Sequence, residues 1–307
     1  MSLPASEHLQ LLRDGAARWS LNDASLTLPQ AHRVSLNGLN FRYLDWGGVE
    51  GRNTIVLLHG GGLTAHAWDL VCLGLRKTWR CLALDARGHG DSDWSADVDY
   101  RISSQRTDVL AFLDHLGLEQ VALVGHSMGG FTSISLAAHA PQRVAALTLV
   151  DIGPEPREEG TRQIRGLIAQ AKDFGSIDDA VRQVLAFTPT RNPQSLRRSL
   201  QIALRESADG RWRWKYDPGR YVQLRSESFA RERLALWDDL RRIRCPAQVI
   251  RGANSRVFWQ EDAERVASTL ADGRWVLAPG AGHNVHSENP KVIIESVTEL
   301  LARAHYR

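Results

Sequence analysis

Three cysteines in 307 residues, scattered at Cys72, Cys81 and Cys245, cannot form a disulfide framework or a CxxC-type zinc site. They read as small buried hydrophobes in a reducing cytoplasm. No apolar run is long enough to span a bilayer, so no membrane helix is expected. Residues 1–20 interleave charges with apolar residues and lack the basic start and small-residue cleavage site of a signal peptide. The net charge of +3 is too small to indicate a nucleic-acid partner. No internal repeat or low-complexity tract interrupts the chain. What is left is an ordinary globular composition and enough length for one large domain, or a core carrying an insertion.

Residues 1–30 read as an N-terminal extension. Two segments, 32–37 and 41–46, flank Asn37-Gly38, a strong hairpin signal. Short apolar runs then alternate with helical patterns. The runs are 54–58, 81–85, 121–124 and 144–150, and the helices 66–77, 104–116 and 127–139. The rhythm stops at Asp151 and resumes at 247–250, with a helix over 260–270, a strand over 274–277 and a last helix over 289–303. Strands apolar on both faces, separated by helices, describe an α/β fold with a doubly wound, mostly parallel sheet.

The interruption, 152–244, reads as a helical cap inserted into a core made of 31–151 and 245–307. Residues 156–244 hold 19 Lys and Arg against 12 Asp and Glu, a net +7, which leaves −4 for the rest of the chain. The alternating segment Trp212-Arg213-Trp214-Lys215-Tyr216 fits a strand or turn with one buried face better than a base-stacking surface. Nucleic-acid binding is therefore rejected.

Gly125-His126-Ser127-Met128-Gly129 is a G-x-S-x-G pattern between a short apolar strand and a helix. A serine on such a turn needs a strained backbone and neighbours without bulk, and the helix behind it points N–H groups at a developing anion. A packing turn is the plainer reading, but the strand–helix context favours a nucleophile. His59-Gly60-Gly61-Gly62 follows another short strand. Its backbone can approach a substrate, so the Gly61 and Met128 N–H groups are the expected oxyanion donors. Pro279-Gly280-Ala281-Gly282-His283 lies on the loop after the last strand, from which His283 can reach Ser127 as general base. His286 is expected to be solvated or to pack the loop, His126 to pack near the sheet, and Trp68 to support the oxyanion loop or serve as a core aromatic.

With these motifs, the chain after residue 30 resembles the serine-nucleophile branch of the α/β-hydrolase superfamily. The loop from Asp85 to Ser92 is similar to the family's loop after its fourth strand, and 279–290 to its C-terminal histidine region. The resemblance implies a variable cap and no metal or organic cofactor. It also implies a Ser-His-Asp triad, and one position departs from that pattern. The family's usual acid site, after the strand that follows the cap, holds Arg256. The alternatives are Asp151 at the end of the strand before the cap, the Glu261/Asp262 pair, or no functional acid. Asp151 is the preferred one, with a turn-capping role as its structural alternative.

The expected activity is hydrolysis of a small carboxylic ester, lactone or amide through an acyl-enzyme. A small molecule is then the only expected partner; the oligomeric state is open. Two rivals are a carbon–carbon bond hydrolase using the same residues and a ligand-binding receptor with a degraded triad. The cationic cap raises a substrate question. An inward-facing arginine would bind a carboxylate, and Arg162 and Arg165 share a helix face close behind Asp151.

Overall fold

The computed structural model describes residues 4–21, 26–49, 53–162, 173–187, 193–220 and 226–306. Its centre is an eight-stranded sheet in the order β1-β2-β4-β3-β5-β6-β9-β10. β1 (Gln30–Leu36) and β2 (Leu39–Asp45) form an antiparallel hairpin. Its turn places Asn37 and Gly38 at φ 50° and 78°, the positive values a two-residue hairpin loop requires. β2 joins β4 (Arg80–Leu84) antiparallel. From there β3 (Thr54–Leu58), β5 (Val121–His126), β6 (Val144–Val150), β9 (Ala247–Gly252) and β10 (Gly273–Ala278) run parallel.

Alternation along each strand divides the interior into two layers. On one face Val56 and Leu58 of β3 and Val121 and Leu123 of β5 meet α3 (Ile102–His115), α4 (Met128–His139), α7 (Glu227–Arg242) and α8 (Gln260–Thr269). On the other, Ile55 and Leu57 with Ala122 and Val124 meet α1 (Ala5–Arg18), α2 (Asp69–Leu75), the short α9 (Val285–Glu288) and α10 (Pro290–Arg303). Both faces being covered explains why the parallel strands read as unbroken apolar runs.

Between β6 and β9 lie α5 (Ile177–Phe187), α6 (Pro193–Ala203) and a small hairpin of β7 (Leu204–Glu206) and β8 (Trp212–Trp214). They close a separate apolar cluster around Phe174, Ile177, Val184, Leu196, Leu200 and Leu204. Helix α7 falls inside the span read as cap, yet it belongs to the core. Its Phe229, Leu236 and Leu240 are buried with residues of α3 and α4. Two helix boundaries also differ from the sequence reading. The helix expected over 66–77 opens as a 3-10 turn, Ala65–Trp68, before α2. The last helix begins after a break at Asn289, whose side chain accepts from Val292 N at 3.3 Å, with Pro290 at the first helical position.

Candidate active site

The sheet register brings the expected residues to one edge. His126 pairs with Val150, and Val150 with Ile250, so Ser127 and Asp151 each follow the end of adjacent parallel strands. Leu58 pairs with Gly125, which sets His59 and the glycine run beside Ser127. Carboxyl ends of parallel strands are where open α/β sheets place their sites.

Ser127 sits at φ 50° and ψ −114°, a strained combination for a residue with a side chain. Its N–H donates to Val150 O at 3.3 Å, and α4 starts at the next residue. The flanking glycines allow that turn. A Cβ on Gly125 would strike Ser133 Oγ and Gly129 O, and one on Gly129 would strike the Leu58 carbonyl. A side chain on Gly60 would lie 2.5 Å from His126 Nδ1 and 3.2 Å from Ser127 Cβ. The oxyanion loop is therefore packed directly on the elbow. Among the described residues, the Gly61 and Met128 amides donate to no protein acceptor.

Asp151, fully buried and also at positive φ (52°), receives three hydrogen bonds. Gly252 N donates to Oδ1 at 2.8 Å, and Ser255 Oγ to Oδ2 at 2.5 Å. His283 Nδ1 lies 2.8 Å from Oδ2. A carboxylate only accepts, so His283 carries its proton on Nδ1 and keeps Nε2 as the basic nitrogen. His283 is held from the other side as well: its carbonyl accepts from His126 Nε2 at 2.9 Å, and the two rings lie 4.6 Å apart.

The surrounding histidines are neutral props. Burial pushes the pKa of His126 well down, with further lowering from His283 and His286. His286 is itself buried, 5.7 Å from the Trp68 ring and 4.8 Å from His126, so it packs the loop and is not solvated. Under the glycine loop, His59 donates from Nδ1 to Gly60 O (2.8 Å) and accepts Ala86 N at Nε2 (3.1 Å). Burial lowers its pKa, and that of His89 beside it well below the ordinary value.

A strained serine thus shares one sheet edge with a partly exposed histidine bonded to a buried aspartate. The model of the alpha/beta hydrolase fold family matches residues 53–290. The chain belongs to that family. It is 32% identical to esterase Rv0045c of Mycobacterium tuberculosis over 97% of both chains. A solved structure of that esterase superposes with a TM-score of 0.79 at 31% identity, over 98% of this chain and 99% of the other. The 3-hydroxybutyrate-oligomer hydrolase of Cupriavidus necator is 28% identical over 81% of this chain and 89% of its own.

In this α/β-hydrolase the other candidate acids lie elsewhere. Asp262 holds Arg157 through two 2.7 Å bonds and accepts Trp259 N at 2.9 Å, capping α8. Glu261 is exposed in that helix's first turn. Arg256 is exposed, while its neighbour Ser255 turns inward to Asp151. Arg162, a candidate carboxylate ligand, does not reach the site: it is 75% exposed and pairs with Glu158 one turn back. Arg165 lies outside the described residues. The sequence reading missed Ser255 and Arg220. A buried serine one residue before Arg256 was visible in the sequence, but its direction depends on the turn after β9. Among the described residues, His8, His66 and Asp69 are the group with metal-ligand spacing. Their atoms already bond one another, with Arg42 Nη2 3.1 Å from His66 Nε2, so they read as a network tying α1 to the turn before α2.

Proposed function

We propose that this chain is a serine hydrolase of small carboxylic esters, with Ser127, His283 and Asp151 as its triad. The 2.8 Å contact between His283 Nδ1 and Asp151 carries the reading. It offers His283 a carboxylate where the family's usual acid site holds Arg256, which supports a working triad over a receptor with a degraded site. The esterase and hydrolase relatives support the same activity.

In the proposed reaction His283 Nε2 takes the Ser127 Oγ proton as Oγ adds to the carbonyl carbon. The Gly61 and Met128 N–H groups and the start of α4 hold the oxyanion. The imidazolium, stabilised by Asp151, returns the proton to the departing alcohol. Water then gives His283 a proton and attacks the acyl carbon, and Ser127 regains its proton as the acid leaves. The same residues could also cleave a lactone, an amide or an activated carbon–carbon bond. Product analysis separates these.

Ser127→Ala protein with unchanged circular dichroism should lose about a millionfold in kcat on methyl or aryl esters, down to background. Near-normal turnover by that folded variant would refute the assignment.

A further inference from the structure

The cap does place an arginine over the site, though not either of those expected. Arg220 is 4% exposed, and its Nη1 lies 2.6 Å from where a Cβ on Gly61 would stand. A side chain at 61 would therefore displace the guanidinium that lies against the expected oxyanion donor.

The cap segment before Arg220 is tied to the core loop beneath it. Tyr216 bridges to His89, Asp217 N donates to Gly88 O at 2.8 Å, and Lys215 pairs with Asp91 at 3.3 Å. Asp217 receives Tyr100 Oη–H at 2.5 Å and Gly219 N at 2.8 Å, fixing the turn that carries Arg220. Arg220 Nη1 is 3.4 Å from His89 Nε2. His89 gives its Nδ1 proton to Arg87 O at 3.0 Å, so Nε2 accepts and the ring stays neutral. The charge of Arg220 contributes to the low pKa of both His89 and His59. The buried Asp85 carboxylate acts on His59 in the opposite sense and more strongly, so what the geometry supplies is a guanidinium held against the glycine loop by a rigid frame.

We propose that Arg220 forms an anion subsite beside the oxyanion loop, and that the preferred substrates are esters carrying a free carboxylate close to the scissile bond. A guanidinium fork matches a carboxylate, and its single charge suits a monoanion better than a phosphate dianion. This rests on the serine-hydrolase reading above.

The test measures methanol or acid release from two monoanions, monomethyl succinate and acetoxyacetate, which carry the carboxylate on the acyl and the alcohol side. Methyl pentanoate and propyl acetate are their neutral counterparts. The wild type should favour at least one anion over its counterpart. Arg220→Met should lower that anion-to-neutral ratio of kcat/KM by about 10- to 150-fold, the worth of a hydrogen bond to a charged group. Arg220→Lys, which keeps the charge, should restore part of the ratio and covers the case in which the Met variant does not fold. Phosphate inhibition stronger than inhibition by butyrate, a monoanion, would contradict the carboxylate assignment. Equal losses on anionic and neutral esters, or no wild-type preference, would overturn the proposal and leave Arg220 a clamp between cap and core. Binding of monomethyl succinate to Ser127→Ala protein, by calorimetry, reads the subsite without turnover. Failure of the hydrolase reading would abolish ester cleavage altogether and is distinguishable from failure of the subsite.

Discussion

At the scale of single residues, Asp151 does two jobs that its burial would otherwise make costly. An ionised carboxylate removed from water must be fully hydrogen-bonded. Gly252 N and Ser255 Oγ supply two bonds before His283 adds the third. Asp151→Asn cannot accept from His283 in the same way without turning an NH2 toward another donor. In the triad reading it should lower kcat by about 10³–10⁴. Asp262→Asn should leave kcat nearly intact and cost about 1 kcal/mol of stability through the α8 cap. Steady-state kinetics and urea melts on both variants decide the matter: a crippled Asp262→Asn beside an active Asp151→Asn would place the acid wrongly. Ser127, His283 and the glycine runs were legible because each is bound to a local pattern. Arg220 was not, because its approach to Gly61 crosses 159 residues of sequence and depends on how the cap turns at 217–220.

Among the elements, α7 departs most from the sequence reading. The sequence assigns it to the cap because it lies where the strand–helix rhythm is interrupted, between Asp151 and residue 247. Yet Phe229, Leu236 and Leu240 recur at seven and four residues, an apolar stripe at helical spacing that was visible all along. That stripe packs on α3 and α4, and Ser226 caps the helix by accepting Phe229 N at 3.2 Å. Leu240→Ala should therefore destabilise the whole core by about 2–5 kcal/mol in urea denaturation, as for a buried core leucine. A change below about 1 kcal/mol would return α7 to the cap. The parallel strands of the large sheet, by contrast, were placed to within two residues, because burial on both faces leaves unbroken apolar runs in the sequence, whereas β7, inside the span read as helical, was not expected. The hairpin β1–β2 was equally clear, since only a turn with positive φ at both positions selects Asn-Gly.

For the whole molecule, the neutral histidines around the site set a pH dependence. Burial lowers the folded-state pKa of His59, His89 and His126 below the ordinary 6.5. Above pH 6.5 these rings are neutral whether the chain is folded or not, and stability is unaffected. As pH falls through 6.5 the unfolded chain takes up protons that the folded one refuses, so stability is lost until the folded values are reached. Each ring contributes up to about 1.4 kcal/mol per pH unit, or about 4 for all three. The buried Asp69 carboxylate, pulled down by His66 and His8 against its burial, would lose its contribution only below its ordinary 3.8. Urea midpoints should thus drop steeply between pH 6.5 and 5 and stay flat between 7 and 8. A midpoint unchanged down to pH 5 would show that these rings are protonated in the fold.

The account stands on one activated serine at the C-terminal edge of the sheet. Labelling with a fluorophosphonate, followed by peptide mass spectrometry, tests it most directly. The account predicts rapid formation of a single covalent adduct on Ser127, slowed by orders of magnitude in His283→Ala and Asp151→Asn. No adduct on folded wild-type protein, or one on another residue while Ser127 stays free, would contradict it.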